Sequence, residues 1–211
     1  MDVKAGSPWQ RHFGLEWTLS AVVTLIALIA WVTTRHIGQQ PLGVYDVFPI
    51  FGLIAFSWMW VVYVSGAARR LLKLGKPHGH LYWSVSSGLI LVAIIIHPLL
   101  VSSGLAWDGL GLPPGSYFAA YQSLGWFLLL GSAALLVFLS YELRRWWGKA
   151  SWWKWVESAQ KLAMVAIFIH SLVLGRELTV GWFKTIWWLY GLTLMAAWVY
   201  NYYYDKRRVG R

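Results

Sequence analysis

The chain is a series of long apolar stretches separated by short segments that carry most of its charges and several glycines. A helix needs about 20 mainly apolar residues to cross the hydrocarbon core of a bilayer. Six stretches approach this length, at residues 17–34, 47–68, 81–104, 117–141, 152–175 and 182–204. This pattern predicts an all-α fold, an integral membrane bundle of six transmembrane helices. We expect residues 1–211 to form a single transmembrane domain without an internal repeat.

Lysine and arginine are unevenly distributed between the two sides of these six predicted helices. Short cytoplasmic loops of membrane proteins carry an excess of both residues. Fifteen of the 18 fall on the side that also holds both termini, whereas Arg35, Arg176 and Lys184 fall on the other side. We therefore expect both termini to be cytoplasmic, in a multi-pass protein of a prokaryotic plasma membrane.

The composition supports a membrane location and excludes several kinds of site. Apolar residues make up 58% of the chain and charged residues only 12%, and the 17 Trp fit aromatic belts at the two membrane interfaces. The net charge of +10 would suggest nucleic acid in a soluble protein, but here it predicts contact with anionic membrane lipid and no nucleic acid. The absence of cysteine excludes iron–sulfur clusters and thiolate metal sites.

Two histidines, His97 and His170, lie near the ends of aliphatic runs inside the third and fifth predicted helices. An ionisable side chain within a membrane helix is a candidate functional residue, although either histidine alone also fits a hydrogen-bonded helix contact. Both helices begin on the cytoplasmic side, and the histidines lie roughly 24 and 27 Å along them. Matched depth on two helices predicts a bis-histidine haem site in the outer leaflet. No Cys, Asp or Glu adjoins either histidine, which disfavours zinc or copper.

Short motifs around these histidines are similar to those of a known family. Residues 52–58 (Gly-Leu-Ile-Ala-Phe-Ser-Trp), residues 66–70 (Gly-Ala-Ala-Arg-Arg) and the segment from His80 to His97-Pro-Leu-Leu resemble the ferric reductase-like transmembrane domain. That family includes the membrane parts of NADPH oxidases and the haem subunit of the bacterial methionine sulfoxide reductase system. The fifth predicted helix resembles the later haem helix of the family. The resemblance implies a haem b protein that passes electrons from a flavin or quinol to ferric iron or a partner.

The sequence departs from the family pattern at the inner leaflet. Family members commonly carry two histidines per haem helix, about 13 or 14 residues apart, for two stacked haems. The corresponding positions here are Trp83 or Ser84 on the third helix and Glu157 on the fifth. We therefore expect one haem b per chain, in the outer leaflet.

Other titratable residues are weaker candidates. His80 lies about 100° away from the His97 face of the helix, so we do not expect it to be a ligand. His12, His36 and His78 fall in loops or interfacial segments. Glu157 precedes Lys161 by four residues, which predicts an ion pair and leaves a proton-relay role as the alternative.

Arg176 is the predicted partner for the anionic propionates of the haem. It follows His170 by six residues and is one of three basic residues on the outer side. The alternative for Arg176 is an ordinary interfacial anchor whose charged end reaches the lipid headgroups.

These observations predict an electron-transfer subunit that exchanges electrons with quinol or with an outer-side redox partner. No G-x-G-x-x-G or Walker pattern is present, so a flavin is expected only on a separate partner protein. The chain is then an oxidoreductase component, and whether it is an enzyme by itself stays open. The competing hypothesis is a six-helix membrane protein without haem or redox function, such as an assembly factor, permease or interaction subunit.

Overall fold

Helices account for all the regular secondary structure in the residues described by the computed structural model, which are 14–35, 42–73, 80–141 and 143–209. The eight α-helices are α1 (Leu15–Thr34), α2 (Val44–Leu71), α3 (His80–Trp107), α4 (Gly115–Tyr121), α5 (Gly125–Tyr141), α6 (Arg144–Trp147), α7 (Trp153–Leu174) and α8 (Gly181–Val209). Short 3₁₀ turns cover Gln122–Leu124 and Arg176–Thr179. His12, His36 and His78 lie outside the described residues, as does the side chain of His80.

Five segments are long and apolar enough to cross a membrane: Leu15–Thr34, Val44–Leu71, Leu81–Trp107, Gly115–Ser140 and Trp153–Leu174. This confirms the predicted all-α fold with the helices of a multi-pass membrane protein. The remaining long helix, α8, has 29 residues. Its many Trp and Tyr residues and its charged last turns make it less apolar than the other five.

One predicted helix, residues 117–141, is interrupted in the structure. Gln122 has a φ of +51°, in the left-handed region that residues with a side chain seldom adopt. The chain therefore ends α4 at Tyr121 and begins α5 at Gly125. Hydropathy does not detect this break because the residues on both sides of it are apolar.

Helix α2 lies at the centre of one part of the bundle, where it packs against α1, α3 and α8, while α7 packs mainly against α5. Small buried residues of α1, including Ala27 and Ala30, let α1 approach α2 closely. The indole of Trp58 on α2 donates a 2.7 Å hydrogen bond to the Thr24 hydroxyl on α1. Close packing and hydrogen bonds between helices hold membrane bundles together, since lipid tails are as apolar as the side chains.

Helix α8 buries one face along its length, formed by Phe183, Trp187, Tyr190, Leu194 and Ala197. Their spacing of three and four residues is that of a continuous helix–helix seam. The Trp187 ring lies 4.7 Å from the Phe56 ring of α2, measured between centroids. This seam fixes α8 against α2 and brings Trp187 into the centre of the bundle.

The two ends of the bundle carry different ion pairs, and we name each end after its arginine. At the Arg69 end, Arg69 of α2 donates two hydrogen bonds to the carboxylate of Glu16 on α1, one of them 2.7 Å long. Glu16 is only 4% exposed, so this paired charge fixes the start of α1 against the end of α2. At the Arg176 end, α1 and α7 end and α2 and α8 begin.

A candidate cofactor site between two helix pairs

A cavity of about 370 Å³ separates the α2–α3 pair from the α5–α7 pair. Its walls are mostly aliphatic and aromatic, with contributions from Phe56, Ile94 and Trp187, and both His97 and His170 line it. Cofactor sites are typically apolar cavities of about 300–1,000 Å³ that contain a few polar groups. The size and chemistry of this cavity lie within that range.

The structure brings the two predicted histidines together across this cavity. The centroids of the His97 and His170 rings are 6.4 Å apart, and the two ring planes make an angle of 77°. The rings come from α3 and α7, which do not pack extensively against each other. Each ring is held by the helix that packs against its own helix: α2 holds His97 of α3, and α5 holds His170 of α7.

Each histidine is held by a hydrogen bond from its Nδ1 to a backbone carbonyl. His97 bonds to the carbonyl of Phe48 on α2, at 2.8 Å, and His170 bonds to that of Phe127 on α5, at 2.7 Å. A carbonyl oxygen can only accept, so Nδ1 carries the hydrogen in both rings. A neutral imidazole in this tautomer has its free lone pair on Nε2. Within the part of the chain that is described, neither Nε2 has a hydrogen-bond partner.

A glycine stands beside each of these carbonyls and makes room for the imidazole. Gly52 and Gly131 follow Phe48 and Phe127 by four residues, one helical turn. A Cβ on Gly52 would lie 2.9 Å from Cε1 of His97, and one on Gly131 would lie 2.7 Å from Nδ1 of His170. Helical side chains lean toward the N-terminus and cover the preceding turn. Glycine therefore leaves the preceding carbonyl open to a side-chain donor from the next helix.

This Phe-x-x-x-Gly arrangement occurs twice in the chain, and both copies hold a histidine of the cavity. We call each copy a histidine seat: Phe48 with Gly52, and Phe127 with Gly131. Neither seat was predicted from the sequence. The signal that identifies them is this spacing on the helix that pairs with each histidine helix.

Arg176, the residue predicted to contact the haem propionates, also lines the cavity. It lies at the Arg176 end of the bundle. Its Nη1 lies 3.6 Å from a carboxylate oxygen of Asp46 at the start of α2, and its Nη2 lies 3.7 Å from Oε1 of Glu177. Asp46 and Glu177 did not emerge from the sequence as site residues. Arg176 is therefore beside the cavity, and two carboxylates already share its charge.

Glu177 is the most deeply buried charged side chain at this end, with an exposed fraction of 1%. Its Oε1 accepts no hydrogen bond within the described residues. Burial raises the pKa of the Glu177 carboxyl above its ordinary value, and Arg176 and Thr34 oppose this only in part. This carboxyl thus exchanges a proton closer to neutral pH than an exposed glutamate does.

The residues that take the place of an inner pair of histidines do not line the cavity. Trp83 packs against the main core cluster, and Ser84 is exposed. Glu157 is half exposed and forms its ion pair with Arg144 of α6, at 4.0 Å. The predicted pair of Glu157 with Lys161 was wrong, because α6 brings Arg144 to this side of α7.

The half of α7 toward the Arg69 end packs directly on α5. Gln160 lies ten residues before His170 and is buried. Its amide donates a 2.7 Å hydrogen bond to the carbonyl of Val137 on α5. Helices α5 and α7 are thus joined at this depth by a direct polar contact.

The donor set of the cavity consists of two imidazoles. No group of three or more His, Cys, Asp or Glu side chains that could hold a metal ion occurs among the described residues. Two imidazole donors in an apolar cavity suit a metal whose other ligands belong to a cofactor.

Comparisons of the chain with protein-family models, with curated proteins and with solved structures found no match. The resemblance to the ferric reductase-like transmembrane domain therefore stays a prediction from the motifs of the sequence.

Proposed function

We propose that the protein is a membrane electron-transfer subunit that binds one haem b, with His97 and His170 as the axial ligands of the iron. The observation that carries this proposal is the pair of imidazoles, each fixed through Nδ1, with ring centroids 6.4 Å apart. Histidines that bind metals commonly donate their other ring nitrogen to a carbonyl, which fixes the ring and its tautomer.

The spacing of the two rings supports a shared iron. Metal–imidazole bonds are about 2 Å long, so two imidazoles that would hold one metal must lie within several ångströms of each other. The observed centroid distance is 6.4 Å. The apolar walls of the cavity suit a macrocycle, whereas a small ion would need further donors.

We assign the propionates of the haem to the Arg176 end of the cavity. Arg176 lines the cavity there together with Tyr121 and with Tyr45, whose hydroxyl donates a 2.6 Å hydrogen bond to Asp108. Charge-assisted hydrogen bonds from a guanidinium to a carboxylate are among the strongest side-chain contacts. The opposite end lacks comparable positions, since Ser84 is exposed and Glu157 pairs with Arg144, which supports one haem per chain.

Haem b supplies reversible one-electron chemistry, and the protein supplies the ligands and the apolar surroundings that set its potential. We propose that electrons come from quinol or from a separate flavoprotein and pass to a redox partner at the Arg176 end. The chain is then an oxidoreductase component related to the ferric reductase-like domain.

We further propose that α8 is a sixth span, that both termini are cytoplasmic and that the membrane is a prokaryotic plasma membrane. The buried seam of α8 along α2 supports the sixth span, and the bias of lysine and arginine supports the orientation. The Arg176 end, with the haem, then lies in the outer leaflet.

A reporter active only in the cytoplasm tests this orientation. Fused after the C-terminus it is expected to give full signal, because the Arg69 end carries most of the basic residues. The same reporter inserted in the loop at residues 109–114 is the matched control and is expected to be inactive. A silent C-terminal fusion with an active loop fusion would invert the topology and place the haem in the inner leaflet.

A haem-free membrane protein is the competing function, in which the bonds from Nδ1 to Phe48 and Phe127 would be structural contacts between helices. A visible spectrum of the purified protein from haem-replete cells separates the two functions. The haem proposal predicts a Soret band and a sharp α-band on reduction. A colourless preparation would support the haem-free alternative.

A further inference from the structure

Glu177 is a buried carboxyl beside a residue of the cavity wall. It immediately follows Arg176, which lines the cavity, and its Oε1 lies 3.7 Å from the Arg176 guanidinium. The carboxyl is almost fully buried, and this oxygen has no hydrogen-bond partner within the described residues. A carboxylate in this position is shielded from water and has one incompletely satisfied oxygen, so its ionisation responds strongly to nearby charge.

Charged residues also occur on the elements that adjoin Glu177 in sequence or in space. They are Arg176 on its own turn, Asp46 at the start of α2, Arg35 at the end of α1 and Lys184 in the first turn of α8. Arg176 acts directly on the carboxyl, and Asp46 acts through its own contact with Arg176. Arg35 stacks on Trp31, with its guanidinium carbon 5.3 Å from the ring centroid, and Lys184 is exposed.

We propose that Glu177 is the proton-exchanging group of the haem site: its carboxylate takes up one proton when the site gains one electron, and releases that proton on reoxidation. This inference rests on the proposed function. The electron comes from a quinol or a reduced flavoprotein, and the proton comes from water at the Arg176 end. One negative charge and one positive charge enter together, so the net charge of this poorly solvated region stays constant.

The direction of the coupling follows from electrostatics. An added electron makes the site more negative and disfavours the Glu177 carboxylate, so the carboxyl binds its proton more tightly in the reduced state. Reduction is then easier at low pH, where the proton is available. The midpoint potential is expected to fall as the pH rises through the range in which Glu177 deprotonates. The raised pKa of Glu177 brings that range closer to neutral pH.

Potentiometric titration of the haem at a series of pH values tests the proposal in the full-length protein. The midpoint potential of the wild type is expected to fall as the pH rises. The potential of Glu177→Gln, in which residue 177 cannot ionise, is expected to be independent of pH over the same range. Asp46→Asn is the matched control, since Asp46 also contacts Arg176 but is 30% exposed. Like Glu177→Gln, this substitution removes one negative charge near Arg176. It is expected to shift the midpoint potential by a constant amount while keeping the dependence of that potential on pH.

A reduced-minus-oxidised infrared spectrum provides a second readout that a purely structural role would not change. The wild type is expected to gain a carboxylic-acid band on reduction, and Glu177→Gln is expected to lack it. Glu177→Asp keeps a carboxyl on a shorter side chain and is expected to displace the pH dependence without abolishing it, which covers the case in which Glu177→Gln fails to fold.

Three outcomes would overturn the inference. A wild-type potential independent of pH would exclude any coupled group. An unchanged pH dependence in Glu177→Gln would show that a group other than Glu177 takes up the proton. An unchanged curve in Glu177→Asp would likewise contradict a role for Glu177. A wild-type protein without haem would instead overturn the proposed function, so the two failures are distinguishable.

Discussion

Replacing His97 or His170 by alanine is expected to remove most of the bound haem from the purified protein. The proposed site would keep only one of its two histidine ligands after either substitution, so it would hold the haem more weakly. The expected result is a large decrease in the Soret absorbance per chain and loss of the low-spin spectrum in any haem that remains. Absorbance spectra normalised to protein concentration provide the measurement.

His80→Ala is the control for these two variants. His80 begins α3, 17 residues before His97, and we expect its replacement to leave haem content and spectrum unchanged. Full haem content with an unaltered spectrum in His97→Ala or His170→Ala would show that the replaced residue is not a ligand. Loss of haem in His80→Ala would instead support two haems per chain, the arrangement common in the ferric reductase-like family that the sequence resembles.

Alanine at Gly52 or Gly131 is expected to have the second-largest effect, although neither residue carries a functional group. The added methyl would lie within 2.9 Å of the His97 ring or 2.7 Å of the His170 ring, so the imidazole must move away from its carbonyl. Disturbing the groups that orient a metal ligand typically lowers metal affinity by about 10- to 100-fold. We expect a loss of haem affinity in that range, measured by titrating haem into the apoprotein.

Gly66→Ala and Gly88→Ala provide matched controls on α2 and α3. A Cβ at either glycine would meet no atom within 4 Å, so the substitution tests helix composition without disturbing a histidine seat. We expect both controls to bind haem like the wild type. Equal affinity in Gly52→Ala and Gly66→Ala would show that the seat does not position His97.

Hydropathy predicted the helices well because each span is a continuous local property of the chain. The observed ends differ from the predicted ones by at most five residues, with the largest difference at the end of α8, Val209. The break at Gln122 was missed because its φ of +51° is a backbone property within an apolar segment. The sixth long helix was identified from its apolar and aromatic length, although its Trp and Tyr residues make it less apolar than the others.

The two histidines could be found from sequence because intramembrane imidazoles are uncommon and both helices run in the same direction. The histidine seats could not be found from the sequence. Their hydrogen-bonding group is a main-chain carbonyl, and the glycine of each seat contributes only by lacking a Cβ. Nor could sequence show that Glu177 is buried beside Arg176, because a glutamate in a short loop is usually solvated. The structure adds the contacts that position the two histidines, whereas hydropathy indicates only how far along their helices they lie.

The number of haems per chain tests the central claim most directly. Haem is extracted from the purified protein and quantified as its pyridine haemochrome, and the protein is quantified by amino-acid analysis of the same sample. One cavity lined by one pair of histidines predicts a ratio near one. A ratio near zero would contradict haem binding altogether, and a ratio near two would contradict the single site formed by His97 and His170.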